Sequence, residues 1–277
     1  MDKSLPIAIE VDVQPIDLAL RSALPTSTPL LIDQHDLDLA RRVHESLLAK
    51  PVRNERIDVD VRYLPVAPVG GDYCQVLFPV PDVCYITVCD VSGHSIGAAL
   101  LAARPSSEVR HWIHQLREPA EIIARLNAFV LEHFEDTNLL LSFSVLRIEL
   151  ASHSATWSGA GHPGPIVQFR DGAIGLATPL VSQHALIGVA ETVWQDEKPQ
   201  RSFQLASGDR FVLFSDGLTE SRNEHGELFG RERLQDAARE ARSLPLFGVA
   251  DHLLHRAGQF RLAPSADDLT LIVAEVR

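Results

Sequence analysis

The sequence predicts an α+β fold: antiparallel sheets in a layered sandwich, with helices packed outside. Three observations predict it. Strand-like runs arrive in blocks joined by short turn signals, helix-like runs arrive in pairs, and the regular strand–helix alternation of a parallel sheet is absent. The chain has 277 residues, 45% of them apolar, enough to bury the core of one large domain.

Residues 1–35 carry Pro6, Pro15, Pro25 and Pro29 among short apolar pieces and read as an irregular extension. A helix follows over Asp36–Lys50. Leu39, Ala40, Val43, Leu47 and Leu48 recur on one face, and Pro51 stops it. That stripe has two candidate partners, the domain's own core or the same helix of a second copy. The main domain spans 51–277. Ile57, Val59, Val61 and Tyr63 alternate with Asp58, Asp60 and Arg62, the pattern of a half-buried strand. Tyr73–Phe78 and Val83–Cys89 are strands around the turn residues Pro79–Asp82. Ile96–Ala103 is a helix, with a break or kink predicted near Ala103–Arg104 because Pro105 follows. Pro119 opens another helix, with Ile122, Leu126, Phe129 and Val130 inward. Leu141–Leu150, Ala155–Ser158 and Ile166–Phe169 are strands, the last followed by an Asp171–Gly172 hairpin turn. Ser202–Leu205 and Arg210–Ser215 read as a hairpin across Gly208–Asp209. Glu232–Arg242 and Val249–Phe260 read as helices, and Leu269–Val276 as a closing strand.

Charge and composition exclude some functions. Acids outnumber Lys and Arg by 37 to 25, so the formal charge is −12, which argues against a nucleic-acid partner. No apolar run is long enough for a membrane span, and the N-terminus lacks signal-peptide features. Cys74, Cys84 and Cys89 lie in predicted strands without zinc-site spacing. They read as buried reduced thiols of a cytoplasmic protein.

Carboxylates stand where apolar residues are expected. Asp72 follows Gly70–Gly71 and leads into a strand. Asp90 ends VCYITVC, Asp216 ends RFVLFS, and Asp267–Asp268 directly precede LTLIVAEV. Each alone reads as a turn or cap residue. An uncompensated carboxylate at the edge of a buried strand costs several kcal/mol, and the pattern recurs at four places. Hard oxygen ligands of this kind suit Mg²⁺ or Mn²⁺ and metal-assisted hydrolysis, most often of a phosphate ester.

Ordered along the chain, VGGDY (69–73), DVSGH (90–94), AGHPGP (160–165), SDGLTE (215–220), FG (229–230) and DDLTL (267–271) resemble the bacterial SpoIIE-like, RsbU-like branch of the metal-dependent (PPM, type 2C) protein phosphatases. The resemblance covers about residues 37–277. It implies an αββα four-layer sandwich and a phosphoserine/phosphothreonine phosphatase using two or more Mn²⁺ or Mg²⁺ ions to activate water. It implies metal ligation by Asp72, Asp90, the Val91 carbonyl, Asp216 and Asp267. Gly71, Gly93, Gly217 and Asp268 would support the site, and His94 is a candidate general acid. The implied substrate is a phosphorylated STAS-domain regulator of the anti-anti-sigma type, and the 36–50 helix is a candidate homodimer element. Ser95 stands where the family usually has Gly, and Pro105 falls where its helix continues. These departures keep open a second reading, a degenerate phosphatase that only binds a phosphoprotein.

Overall fold

The computed structural model describes residues 34–93, 96–134, 140–171, 173–174, 180–191, 199–263, 265 and 267–277. The folded unit is His35–Arg277. Its helices are α1 (Gln34–Glu45), α2 (Ile96–His114), α3 (Pro119–Phe134), α4 (Asp216–Thr219), α5 (Gly230–Glu240) and α6 (Leu246–Phe260). Its strands are β1 (Val52–Arg53), β2 (Ile57–Leu64), β3 (Tyr73–Val80), β4 (Val83–Val91), β5 (Leu141–Glu149), β6 (Ser154–Ala160), β7 (Ile166–Gln168), β8 (Arg201–Gln204), β9 (Arg210–Phe214) and β10 (Leu269–Val276).

The strands form two five-stranded antiparallel sheets, β1-β2-β10-β9-β7 and β3-β4-β5-β6-β8. Period-two alternation divides their side chains among three apolar layers. Along β4, Cys84, Ile86 and Val88 point between the sheets, where they meet Ile57, Val59, Trp157, Phe211, Leu213 and Ile272. Val83, Tyr85, Cys89 and Val91 point the other way, onto Ala98, Leu101 and Ile113 of α2 and Ile122 and Leu126 of α3. In the first sheet, Val212, Phe214, Leu271 and Val273 face Leu234 of α5 and Val249 and Leu253 of α6. The order is helices, sheet, sheet, helices: the predicted αββα sandwich.

Four local expectations are corrected. First, α1 ends at Glu45 rather than Lys50. The chain tightens there, with the Leu47 N–H donating to the His44 carbonyl at 2.9 Å. Leu47 joins the layer under α2 and α3, whereas Leu48 joins the layer between the sheets, a divergence one helical face cannot supply. Leu39 and Val43 stay exposed, at 50% and 54%. The helix end therefore packs on its own domain. Second, α2 continues through Pro105, so the predicted break is absent. An interior proline costs about 3 kcal/mol or more. Here Ala98, Leu101, Ala102, Val109 and Ile113 bury the same helix on both sides of Pro105. Ser106 also donates its hydroxyl to the Ala103 carbonyl at 2.7 Å, and Gln75 donates to the Ser106 carbonyl at 2.9 Å.

Third, β8 and β9 are not a hairpin. Phe203 pairs with Ala155 in one sheet, whereas Val212 pairs with Val273 and Ile166 in the other. The Ala206–Asp209 turn carries the chain across the sandwich. Gly208 adopts φ +92° there, and the Asp209 carboxylate accepts from the Ala206 and Arg170 amides, each at 2.8 Å. Fourth, β2 is not half-wet: Asp58 and Asp60 are buried. Asp60 pairs with Arg62 at 3.1 Å, and Asp58 with Arg277. At the Asp171 turn, Gly172 lies outside the described residues. The Phe169 N–H donates to Ala173 at 2.8 Å, and Gln168 bridges Ile174.

Candidate metal centre

Strand register assembles the site. In the second sheet Tyr73 faces Cys89, so the next residues outward, Asp72 and Asp90, are placed opposite each other. Both extend the row of Cys74 and Val88, which points between the sheets. In the first sheet Leu271 faces Phe214, and the Ser215 N–H donates to the Thr270 carbonyl at 3.0 Å. That register brings Asp216, opening α4, beside the Asp267–Asp268 lead into β10. Thr270 then joins the two sheets, donating its hydroxyl to Asp72 Oδ2 at 2.6 Å.

The carboxylates act on one another. Burial, then the charge of Asp90, pushes Asp72 well above the ordinary carboxylate range. Asp90 is pushed up to about 7 by burial, then by Asp216 and Asp267. Asp216 is raised by burial, then by Glu220 and Asp267. Asp72, Asp90 and Asp216 are thus brought into one electrostatic neighbourhood with Asp267. Among the described residues, no three His, Cys, Asp or Glu side chains stand gathered closely enough to hold a metal ion by themselves.

The glycines fix how closely the loops approach. A Cβ on Gly71 would lie 2.4 Å from the Val91 carbonyl oxygen and 2.8 Å from that of Gly93. A Cβ on Gly217 would lie 2.1 Å from the Asp268 carbonyl oxygen. Gly93 itself adopts φ +88°. Asp268 is committed to the backbone, its Oδ1 accepting from Val66 N–H at 2.9 Å and its Oδ2 from Gly71 N–H at 3.0 Å. The chemistry of this donor set suits a hard divalent cation. The candidate donors are all oxygens, the groups acting most strongly on them are other acids, and the Gly71 cradle leaves the Val91 carbonyl uncovered by any side chain of that residue.

A family model described as stage II sporulation protein E matches residues 81–277. The chain belongs to the SpoIIE family. It is a phosphoprotein phosphatase of the PPM class. The matched stretch contains Asp90, Asp216 and Asp267 and begins after Asp72. The chain is 28% identical to the phosphoserine phosphatase RsbU of Bacillus subtilis, over 86% of this chain and 69% of that protein. The SiaA PP2C domain of Pseudomonas aeruginosa superposes with a TM-score of 0.73 at 20% identity, covering 88% of this chain and 96% of that one. RsbX, solved in complex with magnesium, superposes with a TM-score of 0.60 at 16% identity, over 82% and 99%.

Within this SpoIIE-family site, His94 and Ser95 lie outside the described residues. His162, within the AGHPGP motif, is buried at 3% exposure, and its Nδ1 shares a hydrogen bond with Ser142 Oγ at 2.7 Å. Ser142 is paired with Asp90 across β4 and β5. Burial holds the His162 pKa down to about 4, so the ring is neutral.

Two contributors escaped the sequence reading. Thr270 carried a signal, a hydroxyl inside the apolar run of β10. His44 carried none, because it sat among the polar residues of α1. It is buried at 4% exposure, and its Nε2 lies 3.0 Å from the Asp72 carbonyl oxygen. Burial lowers its pKa, so the neutral ring donates from Nε2 to that carbonyl. His44→Ala is expected to weaken Mn²⁺ binding by about 10–100-fold, the usual cost of losing a group that orients a ligand. Electron paramagnetic resonance titration of free Mn²⁺ measures this directly. An unchanged dissociation constant would show that α1 plays no part in holding Asp72.

Proposed function

We propose that the chain hydrolyses phosphoserine or phosphothreonine on a protein, using Mn²⁺ or Mg²⁺. The observation that carries this reading is the convergence of buried Asp72 and half-buried Asp90 and Asp216 where the two sheets meet, each carboxyl raised by burial and by a neighbouring acid. Asp72, Asp90, Asp216, Asp267 and the Val91 carbonyl would hold the ions. When bound, divalent cations supply the charge that acidifies a water nucleophile and neutralises phosphoryl oxygens. Thr270 and His44 orient Asp72 through its carboxylate and its carbonyl. Asp268 anchors the Gly71 amide, and Gly71, Gly93 and Gly217 permit the close approach of the loops. His94 is the proposed proton donor to the leaving oxygen.

The proposed substrate is a phosphorylated STAS-type regulator, which places the reaction in the cytoplasm. The RsbU relative, named a phosphoserine phosphatase, supports phosphoserine as the group hydrolysed. No helix among the described residues is long and apolar enough to cross a membrane. Exposed Leu39 and Val43 on α1 support a homodimer through that helix.

The test is hydrolysis of para-nitrophenyl phosphate. Turnover should require Mn²⁺, stop with chelator, and fall about 10²–10³-fold in Asp216→Asn. A wild-type chain that binds Mn²⁺ and phosphoprotein without turnover would instead be the phosphoprotein-binding module.

A further inference from the structure

A cleft of about 1000 Å³ opens from Asp216 between the 161–165 loop, the 180–184 segment and the start of α5. Pockets for drug-sized ligands run to about 300–1,000 Å³, so this space exceeds what one phosphorylated side chain needs. Its walls include Pro163, Pro165, Leu180 and Val181, and Val181 is 65% exposed. Its rim carries Glu220 and Glu232 beyond Asp216.

The charge balance decides what it can accept. Arg231 also lines the cleft, but its guanidinium donates to the Gly164 and Pro165 carbonyls at 2.5 and 3.0 Å and lies 5.8 Å from the centroid of the Phe214 ring. It therefore ties the loop to α5 and β9. Its charge remains, but Asp216, Glu220 and Glu232 outnumber it, so on balance the cleft repels a phosphate and attracts a cation. The two ends of the cleft thus want different groups. The Asp216 end belongs to the metal centre that would take the phosphate, and the far end offers apolar walls beside acids.

We propose that this cleft binds the polypeptide segment flanking the phosphorylated residue of the substrate, seating an apolar side chain against Val181 and Pro163 and a basic one against Glu232. This rests on the phosphatase reading. It adds a substrate class, phosphoproteins with an apolar and a basic residue a few positions from the phosphate. Continuity with the metal centre argues for substrate as the occupant, because a segment lying here leads directly to Asp216.

The experiment compares para-nitrophenyl phosphate with two phosphoserine nonapeptides. These differ only in carrying Leu and Lys, or Leu and Glu, on the flank of the phosphoserine. Wild type should favour the Lys peptide in kcat/KM. Glu232→Lys should raise KM for that peptide about five-fold, the scale of one exposed ion pair, and favour the Glu peptide instead. Val181→Ser should raise KM about ten-fold for both peptides, the effect of losing one apolar contact without a change of charge. Neither variant should change the constants for para-nitrophenyl phosphate. Equal peptide constants in wild type and both variants would overturn the proposal. So would parallel losses on the small substrate, or wild type that turns over the small substrate but neither peptide. A wild type inactive on all three substrates would overturn the phosphatase reading itself.

Discussion

Asp72→Asn is expected to cut Mn²⁺-dependent turnover by about 10²–10³-fold while making the metal-free protein more stable at pH 8. The first effect removes a carboxylate charge from the proposed ion site. The second follows from burial. A carboxyl whose pKa is higher in the fold than in the unfolded chain prefers to be protonated in the fold, so its ionisation costs stability. The loss begins as pH rises past the unfolded value of about 4 and is complete above the folded value. Asp72 is raised by burial and then by Asp90, so at pH 8 the metal-free fold bears this cost. Asparagine keeps an oxygen for Thr270 and carries no charge. Thermal unfolding in chelator should shift upward by about 2–4 °C per kcal/mol relieved. Below about pH 4 the gain should vanish, because Asp72 is then largely protonated in both states. A variant no more stable than wild type at pH 8 would show that the carboxyls do not repel across β3 and β4.

Gly71→Ala should lower both stability and metal affinity. The new methyl would sit 2.4 Å from the Val91 carbonyl oxygen and 2.8 Å from that of Gly93, and both are backbone atoms that cannot rotate away. Asp268 holds the Gly71 amide from the other side at 3.0 Å, so the residue cannot simply retreat. Either the lead into β3 or the end of β4 must move, and these segments carry Asp72 and Asp90. Overpacking of this kind costs about 1–3 kcal/mol. Misplacing the ligands should weaken Mn²⁺ binding by about ten-fold or more. Gly258→Ala is the control, because a methyl there meets nothing within 4 Å. It lies inside α6, where alanine should stabilise by up to about 1 kcal/mol. A Gly71→Ala protein with wild-type unfolding temperature and Mn²⁺ affinity would contradict the close approach of the two loops.

Much of this architecture was legible because burial imposes periodicity. The β4 run VCYITVCDV has apolar residues on both faces, and both faces are covered, one by the opposite sheet and one by α2 and α3. The acids at strand ends were legible for the complementary reason, that charge is costly where the flanking residues are buried. Alternation says which face a residue takes but not which strand lies beside it, so β8 and β9 were wrongly joined into a hairpin. Proline propensity is local, and packing along both halves of α2 overrode it. Asp58 and Asp60 looked solvated because their partners, Arg277 and Arg62, were not visible as partners in a linear pattern. The role of His44 depends on a contact between residues 28 positions apart, for which its neighbours in sequence gave no cue.

The place of β10 in its sheet has a consequence for shortened chains. This strand lies between β2 and β9, yet it follows both by more than fifty residues in the chain. A polypeptide that stops before residue 267 carries those two strands with no common neighbour, and it lacks Asp267, Asp268 and Thr270. Loss of β10 would therefore leave the first sheet divided between β2 and β9 and the proposed ion site without the side that Asp267 supplies.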